Sequence, residues 1–333
     1  MHRRFITAIV GALLFLGVAV PSMAATAPTP APAPAAVPTP VFRDLPTWHW
    51  AYGSVMKLYE AGIVAADPQG LFRPEQPAKR SEVFKMVLAA RRKDVGSECA
   101  AMFRDVPCTA WFAPVSETAF RLGIDDGTGT DLFSPELTMT REQLITVVVR
   151  ALGWRWEAAT QGWQSTEERL KALADERSIA DWARPAVALA LANGVTAGYA
   201  DGTFRPGGLA TRAEAAALAS RIVLPLDGLQ TVKVEGRTLP FKQALELTAS
   251  MYATGEPGVG TQTYTGLFVR AGTVAVDPRV IPLGSLLYVE GYGFAIAADI
   301  GGAIKGNRID LFTHSYPQAV AFGLQTRKVW VLP

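Results

Sequence analysis

Trp50, Trp111 and Trp182 are each followed by a glycine after 12 residues (Gly62, Gly123, Gly194), a phenylalanine after 22 (Phe72, Phe133, Phe204) and an arginine after 30 (Arg80, Arg141, Arg212). A spacing kept three times restricts the fold to an array of one supersecondary unit, because such a unit buries its apolar face only against its neighbours. After the tryptophan, apolar residues recur at helical spacing, Val55, Leu58 and Tyr59 in the first unit and Val187, Ala190 and Leu191 in the third. The glycine supplies the left-handed stop that helices use. A turn follows, Phe72-Arg73-Pro74, Phe133-Ser134-Pro135 or Phe204-Arg205-Pro206, and a second helix opens at Lys79-Arg80-Ser81-Glu82, Thr140-Arg141-Glu142-Gln143 or Thr211-Arg212-Ala213-Glu214. Thr140 and Thr211 are N-cap residues, and Gln143 and Glu214 complete capping boxes in the second and third units.

Residue type assigns first roles. Phe72, Phe133 and Phe204 fill the shared interior. Trp50, Trp111 and Trp182 pack a helix start and leave one edge free. Asp44, Asp105 and Asp175 read as helix caps. Arg80, Arg141 and Arg212 have two readings, pairing with an acid of the neighbouring unit or contacting a ligand. Trp154, Trp156 and Trp163 lie in a longer joint between units two and three, and no role is assigned to them.

Before the repeats, His2-Arg3-Arg4, the apolar run from Phe5 to Val20 and Pro21-Ser22-Met23-Ala24 have the layout of a cleavable signal peptide over 1–24. The competing reading, an uncleaved anchor, is disfavoured because a span takes about 18 or more apolar residues. The mature chain is expected to begin near Ala25, with an Ala/Pro/Thr-rich spacer over 25–40. Cys99 and Cys108 in an exported chain are expected to form a local disulfide, free thiols being the alternative. Two cysteines and the histidines His2, His49 and His314 make a metal site unexpected, and no cofactor is expected. A net charge of +2 implies no nucleic-acid partner and no pull to a membrane surface.

The densest chemistry lies near the end of the chain. Tyr292–Ala298 is an apolar run bounded by glycine and reads as a buried strand ending at Asp299. Gly301, Gly302 and Gly306 let a ligand approach the main chain, and Lys305 is the cation among them. Arg308-Ile309-Asp310-Leu311-Phe312 resumes a strand. Val274-Ala275-Val276-Asp277-Pro278 ends a strand at a third acid. Upstream, Thr231–Leu239 alternates around Glu235-Gly236 and predicts a hairpin.

These terminal residues resemble the 3D domain, named for three aspartates, of cell-wall enzymes related to membrane-bound lytic transglycosylase A. The matching elements are Val276-Asp277-Pro278, Ile281-Pro282-Leu283-Gly284, Ala298-Asp299, Gly301-Gly302-Ala303-Ile304-Lys305-Gly306, Arg308-Ile309-Asp310 and Val329-Trp330-Val331, covering about 90 residues from near Leu247. Ile300 stands where the family usually has threonine. The repeats resemble S-layer homology repeats: Phe42-Arg43-Asp44 and Phe103-Arg104-Asp105 match one hallmark, Thr211-Arg212-Ala213-Glu214 the other. Leu173-Ala174-Asp175, Lys79 and Glu142 depart from it.

The resemblances imply a multidomain chain, an α-helical three-repeat pseudo-trimer (41–98, 99–160, 161–224) followed by an all-β double-psi β-barrel (225–333). They imply that Arg80, Arg141, Arg212, Trp50, Trp111, Trp182, Asp44 and Asp105 hold an anionic secondary cell-wall polysaccharide, and that the barrel is a peptidoglycan lytic transglycosylase. Asp310 would be general acid/base, Asp299 would raise its pKa as a nearby like charge and stabilise the developing cation, and Asp277 would support the site. Gly301 and Gly302 would bind substrate; Lys305 would steer substrate carboxylates or neutralise Asp299. The alternative function is a non-catalytic wall-binding or structural surface protein.

Overall fold

The computed structural model describes residues 41–333 except 94, 96–98, 225–228 and 257. The expected signal peptide and spacer lie outside the described residues.

The first unit contributes α1 (Tyr52–Glu60) and α2 (Arg80–Ala90), the second α3 (Ala113–Arg121) and α4 (Arg141–Ala151). Two extra helices, α5 (Arg155–Thr160) and α6 (Trp163–Leu170), precede α7 (Arg184–Ala192) and α8 (Arg212–Arg221) of the third. Gly62, Gly123 and Gly194 end α1, α3 and α7 at φ of +70°, +65° and +66°. Thr140 and Thr211 make full capping boxes. Lys79 has no side-chain acceptor, so in the first unit only the return bond forms, from its N–H to Glu82 at 3.1 Å.

Asp44, Asp105 and Asp175 do not cap helices. Each carboxylate instead accepts two consecutive backbone N–H groups of its own unit's Phe-x-Pro turn, at 2.7 to 2.9 Å. That turn needs holding, since Arg73, Ser134 and Arg205 sit at φ of +61°, +56° and +56°, a region side chains disfavour.

The units are joined main chain to main chain. Ala78 N–H donates to Ala210 O (2.8 Å), Ala210 N–H to Met139 O (2.9 Å) and Met139 N–H to Ala78 O (3.2 Å), closing a cycle through three equivalent positions. The next arginine repeats the pattern: Arg80 N–H reaches Leu137 O, Arg141 N–H reaches Gly208 O and Arg212 N–H reaches Gln76 O. Each second helix therefore starts on its neighbour's turn.

The hairpin β1 (Gln230–Val234) and β2 (Arg237–Phe241) turns at Glu235 and Gly236, both at positive φ. Then β3 (Gln243–Ala253), β4 (Thr273–Val276), β5 (Leu286–Val289), β6 (Gly293–Asp299), β7 (Arg308–Thr313) and β8 (Gln325–Val331) close a six-stranded barrel in the order β3-β7-β4-β6-β5-β8. The β3–β7 and β4–β6 pairs are parallel, the rest antiparallel. The all-β expectation is corrected by α9 (Tyr316–Phe322) between β7 and β8. Ser315 caps it and Pro317 occupies its first turn, where proline is tolerated. Among the described residues no helix is long and apolar enough to cross a membrane.

Strand alternation divides the barrel's side chains. Ala249, Val274, Val276, Ala297, Ile309 and Leu311 fill the interior. Leu286, Tyr288, Phe294, Ile296 and Trp330 point outward and join the helices' core. Repeats and barrel thus belong to one unit from Pro40 to Pro333. Arg270 ties them further, with its guanidinium 4.0 Å from the Phe120 ring and 3.2 Å from both the Asp126 carboxylate and Asp125 O. Cys99 and Cys108 are joined by a disulfide in the segment before α3.

Gly272, at φ +94°, backs onto the end of α3, where an added Cβ would lie 2.6 Å from Arg121 O. Gly272→Ala is expected to cost roughly 1–3 kcal/mol by overpacking, read as a lower melting temperature. Gly207→Ala, where a Cβ meets nothing within 4 Å, should leave it nearly unchanged.

Candidate functional site

Four neighbouring strands each place one residue in a single row. Ser250 pairs with Asp310, Asp310 with Ala275, and Ala275 with Asp299. Residues in register share a face. Because their chain neighbours fill the interior, the row looks outward. Two strand spacings separate the aspartates, roughly 10 Å between Cα atoms, and the methyl group of Ala275 between them leaves the floor open. A cleft of about 380 Å³ lies here, lined by Asp299, Asp310, Ala275, Tyr252, Ile300 and Gly301 together with Glu256 and Gln262 of the loop after β3.

Asp299 reaches this face through an irregularity. Val274 pairs with Ala297 but Ala275 pairs with Asp299, so Ala298 is an extra residue, a β-bulge. Strict alternation from Ala297 would put Asp299 inside the barrel; the bulge turns it outward. Its Oδ1 accepts the N–H of Ile300 and of Tyr264, each at 2.9 Å, which fixes the carboxylate and the loop together.

Asp310 is half-buried, and Ser250 Oγ donates to its Oδ1 at 2.7 Å. Burial raises its pKa above the ordinary carboxyl value, opposed by the Ser250 hydrogen bond, then supported by the charge of Glu256, opposed by Arg308 and supported by Asp299. The like charge of Asp299 therefore acts in the expected direction but is the smallest of these causes, behind burial and Glu256.

Asp277 stands apart from the row. It is 2% exposed and held well below the usual carboxylate range, first by Arg279, whose guanidinium donates to it at 2.7 and 3.1 Å. Its Oδ2 also accepts Gly306 N–H at 2.8 Å, anchoring the glycine turn. Of the three turn glycines Gly306 has positive φ, and Gly301 has a steric reason, since a Cβ there would meet Ile304 at 2.7 Å. Gly301 lines the cleft, whereas Gly302 is exposed with nothing within 4 Å of a would-be Cβ. Lys305 is exposed and makes no ion pair with Asp299.

The repeats present a second set of sites. Trp50, 62% exposed, flanks a groove of about 310 Å³ with Arg141, Tyr199, Glu214 and Arg221. Arg141 there donates to Ala197 O at 2.9 Å and lies over the Tyr199 and Phe204 rings, with its Nε unpaired. Trp111, beneath the Lys85 ammonium, shares a pocket with Arg212 and Glu82. Arg212 and Glu82 also line an adjoining pocket of about 450 Å³. The third equivalent differs. Trp182 is exposed, but Arg80 is 6% exposed, forked onto Asp125 at 2.8 and 2.9 Å and bonded to Phe133 O at 2.8 Å. Val64 and Thr196 occupy the positions equivalent to Asp125, so a carboxylate there belongs to unit two alone; Arg141 and Arg212 pair instead with Glu214 and Glu82, so all three arginines meet an acid of a neighbouring unit. Asp126 beside it engages Arg150, Arg155 and the barrel's Arg270.

The S-layer homology domain model matches residues 41–84, 103–145 and 173–216, and the 3D domain model residues 272–333. The chain carries three S-layer homology repeats and a 3D domain. Such repeats make it a cell-surface, wall-associated protein. Over 92 residues it is 50% identical to the cell wall-binding protein YocH of Bacillus subtilis (strain 168), covering 26% of this chain and 32% of that one. Over 170 residues it is 32% identical to the cellulosome-anchoring protein of Acetivibrio thermocellus, covering 48% of this chain and 36% of that one. The chain thus spans about a third of the length of these relatives. Among solved structures, the lytic transglycosylase MltA from Escherichia coli aligns over 23% of this chain and 29% of its own at 26% identity, with a TM-score of 0.20.

Sequence reasoning missed Ser250, Tyr252 and Glu256, which reach the 3D domain's acids from upstream of the matched stretch. The available signal was the polar Ser250 in an otherwise strand-like run. With its folded pKa above the unfolded value of 3.8, Asp310 takes stability from the native state as pH rises past 3.8 and through the folded pKa. Asp310→Asn keeps an acceptor for Ser250 and lacks that titration. It should melt higher than the wild type at pH 7, with the gap closing as pH falls toward 3.8 in a pH series of thermal unfolding curves.

Proposed function

We propose that the protein is a wall-attached peptidoglycan lytic transglycosylase, cleaving β-1,4 bonds between N-acetylmuramic acid and N-acetylglucosamine. The observation that carries this reading is Asp310, a half-buried carboxyl group with a raised pKa, in an open cleft beside a second carboxylate. The parallel β3–β7 and β4–β6 pairs support a double-psi barrel, and the cycle through Ala78, Met139 and Ala210 supports a pseudo-trimer of repeats.

Asp310 begins protonated and gives its proton to the glycosidic oxygen as the bond to the muramic C1 breaks. Asp299 faces the positive charge that develops at that carbon. Asp310, now a carboxylate, takes the proton of the muramic C6 hydroxyl while that oxygen bonds to C1, closing the 1,6-anhydro ring and restoring the acid. Asp277, ionised by Arg279, supports the site by holding Gly306. In this reading Lys305, exposed and not paired with Asp299, steers the carboxylates of peptidoglycan.

The repeats hold the wall's anionic secondary polysaccharide in the two grooves of Trp50/Arg141 and Trp111/Arg212, where guanidinium groups remain part-exposed beside an exposed indole. The position of Arg80 is closed by Asp125.

Asp310→Asn should lower release of anhydro-muropeptides from purified sacculi by about 10²- to 10⁴-fold, read by mass spectrometry as products one water lighter than hydrolysis products. Ordinary reducing ends would indicate a hydrolase, and no products from the wild type a wall-binding protein.

Arg141→Ala and Arg212→Ala should each weaken binding to isolated wall polymer with a modest loss of melting temperature, since Arg141 also pairs with Glu214 and Arg212 with Glu82 and Phe72 O across unit boundaries, at part-exposed positions. Arg80→Ala should instead destabilise the fold by about 3–5 kcal/mol, because it leaves Asp125 buried without its partner. Polymer sedimentation and thermal unfolding, run in parallel, separate the two effects.

A further inference from the structure

The loop between β3 and β4 folds into a short antiparallel ribbon beside the acids. Thr263 N–H donates to Leu267 O at 2.7 Å and Val269 N–H to Thr261 O at 3.0 Å, so Gln262 and Phe268 stand directly opposite each other between these bonds. Side chains of such a pair lie on one face at their closest approach. Exposure follows the same alternation, with Thr263 and Leu267 buried and Gln262, Tyr264 and Phe268 exposed. Leu267 joins the helices' core, while the tip is held by Tyr264 N–H on Asp299 at 2.9 Å and Thr265 N–H on Ala298 O at 3.0 Å. The outer face of the ribbon therefore keeps a set position relative to the acids.

Gln262 lines the cleft, and so does Val269, the residue after Phe268. Phe268, 66% exposed, thus stands at the cleft's rim beside a primary amide. Within the cleft Val269 and Ile300 supply apolar surface, and Asp299, Asp310 and Glu256 supply carboxylates. A pyranose of a β-1,4-linked strand matches this division. Its hydroxyl and acetamido groups project around the edge of the ring and its C–H groups occupy the faces. An aromatic side chain covers such a face, and an amide, which both donates and accepts, serves such an edge. An apolar peptide segment would need apolar neighbours around Phe268, and the neighbours here are an amide and a cleft with three carboxylates.

We propose that Phe268 and Gln262 form a sugar subsite at the rim of the cleft, the ring stacking on the C–H face of one N-acetylated sugar and the amide hydrogen-bonding its edge, while another sugar of the same strand lies between Asp299 and Asp310. This rests on the glycan-cleft reading above. Covering the exposed ring removes apolar surface from water, which is the source of the affinity. The contact serves binding, and no bond is made or broken there.

The test uses the full chain carrying Asp310→Asn, so that ligand is not consumed, and adds Phe268→Ala, Phe268→Tyr or Gln262→Ala to it. In calorimetric titration with a hexamer of β-1,4-linked N-acetylglucosamine, Phe268→Ala should bind about 5- to 20-fold more weakly, from the loss of one covered ring face. Gln262→Ala should bind about 3- to 10-fold more weakly, the worth of one neutral hydrogen bond. Phe268→Tyr keeps a ring and should bind as the parent does. Melting temperatures should stay close to the parent's, since both side chains are exposed. Unchanged affinity of Phe268→Ala, an equal loss in Phe268→Tyr, or a loss that comes with a lowered melting temperature overturns the subsite and leaves the cleft reading standing. Absence of binding by Asp310→Asn alone overturns both.

Discussion

The helical half depends on a cycle of three main-chain hydrogen bonds through Ala78, Met139 and Ala210. A backbone bond cannot be repositioned by a rotamer change, so the cycle fixes where each second helix begins relative to its neighbour's turn. The side-chain pattern follows. The aspartate of each unit holds a left-handed turn, and Arg80 and Arg212 bond the Phe carbonyl of that turn in the adjacent unit. Sequence variation then acts locally on a fixed frame. Asp125 in place of Val64 or Thr196 makes one inter-unit junction a buried ion pair, while at the other two the arginine pairs with a glutamate at a part-exposed position, Arg141 with Glu214 and Arg212 with Glu82.

The barrel uses its frame in a comparable way. Alternation alone sorts most strand residues into interior and exterior, and the exterior is divided again between a wall covered by helices and an uncovered row of polar residues. One inserted position, Ala298, lets β6 serve both: Phe294 and Ile296 face the helices while Asp299 joins Asp310 over Ala275. Bulges commonly re-aim side chains beside functional sites. Here the consequence is that two acids from separate strands share one face without either strand leaving the barrel.

Much of this was legible in the sequence, for identifiable reasons. The repeat spacing, the Gly62, Gly123 and Gly194 stops, the Thr140 and Thr211 caps, the strands ending at Asp277 and Asp299 and the strand running through Asp310 are local signals, each set by a few adjacent residues. What was not legible is non-local. The carboxylate of Asp44 binds a turn 28 and 29 residues away, and Ser250 meets Asp310 across 60 positions. Period-two reasoning has no means of seeing a bulge, so the face of Asp299 stayed undetermined. The pKa of Asp310 is raised first by burial, which a sequence does not display, and least by Asp299, the charge that it does display.

The apolar seam between the two halves also decides how such a molecule meets an insoluble surface. Phe294, Ile296 and Trp330 are sealed against the helices, and Arg270 is clamped to the loop of the second repeat. A module on a slack tether samples a sphere of positions around its mooring. Two modules welded through a shared interior have a single reach and a single heading, as the arm of a compass does. Whatever the barrel grips therefore lies at a set distance and angle from whatever the repeats grip, and sampling a new patch requires letting go.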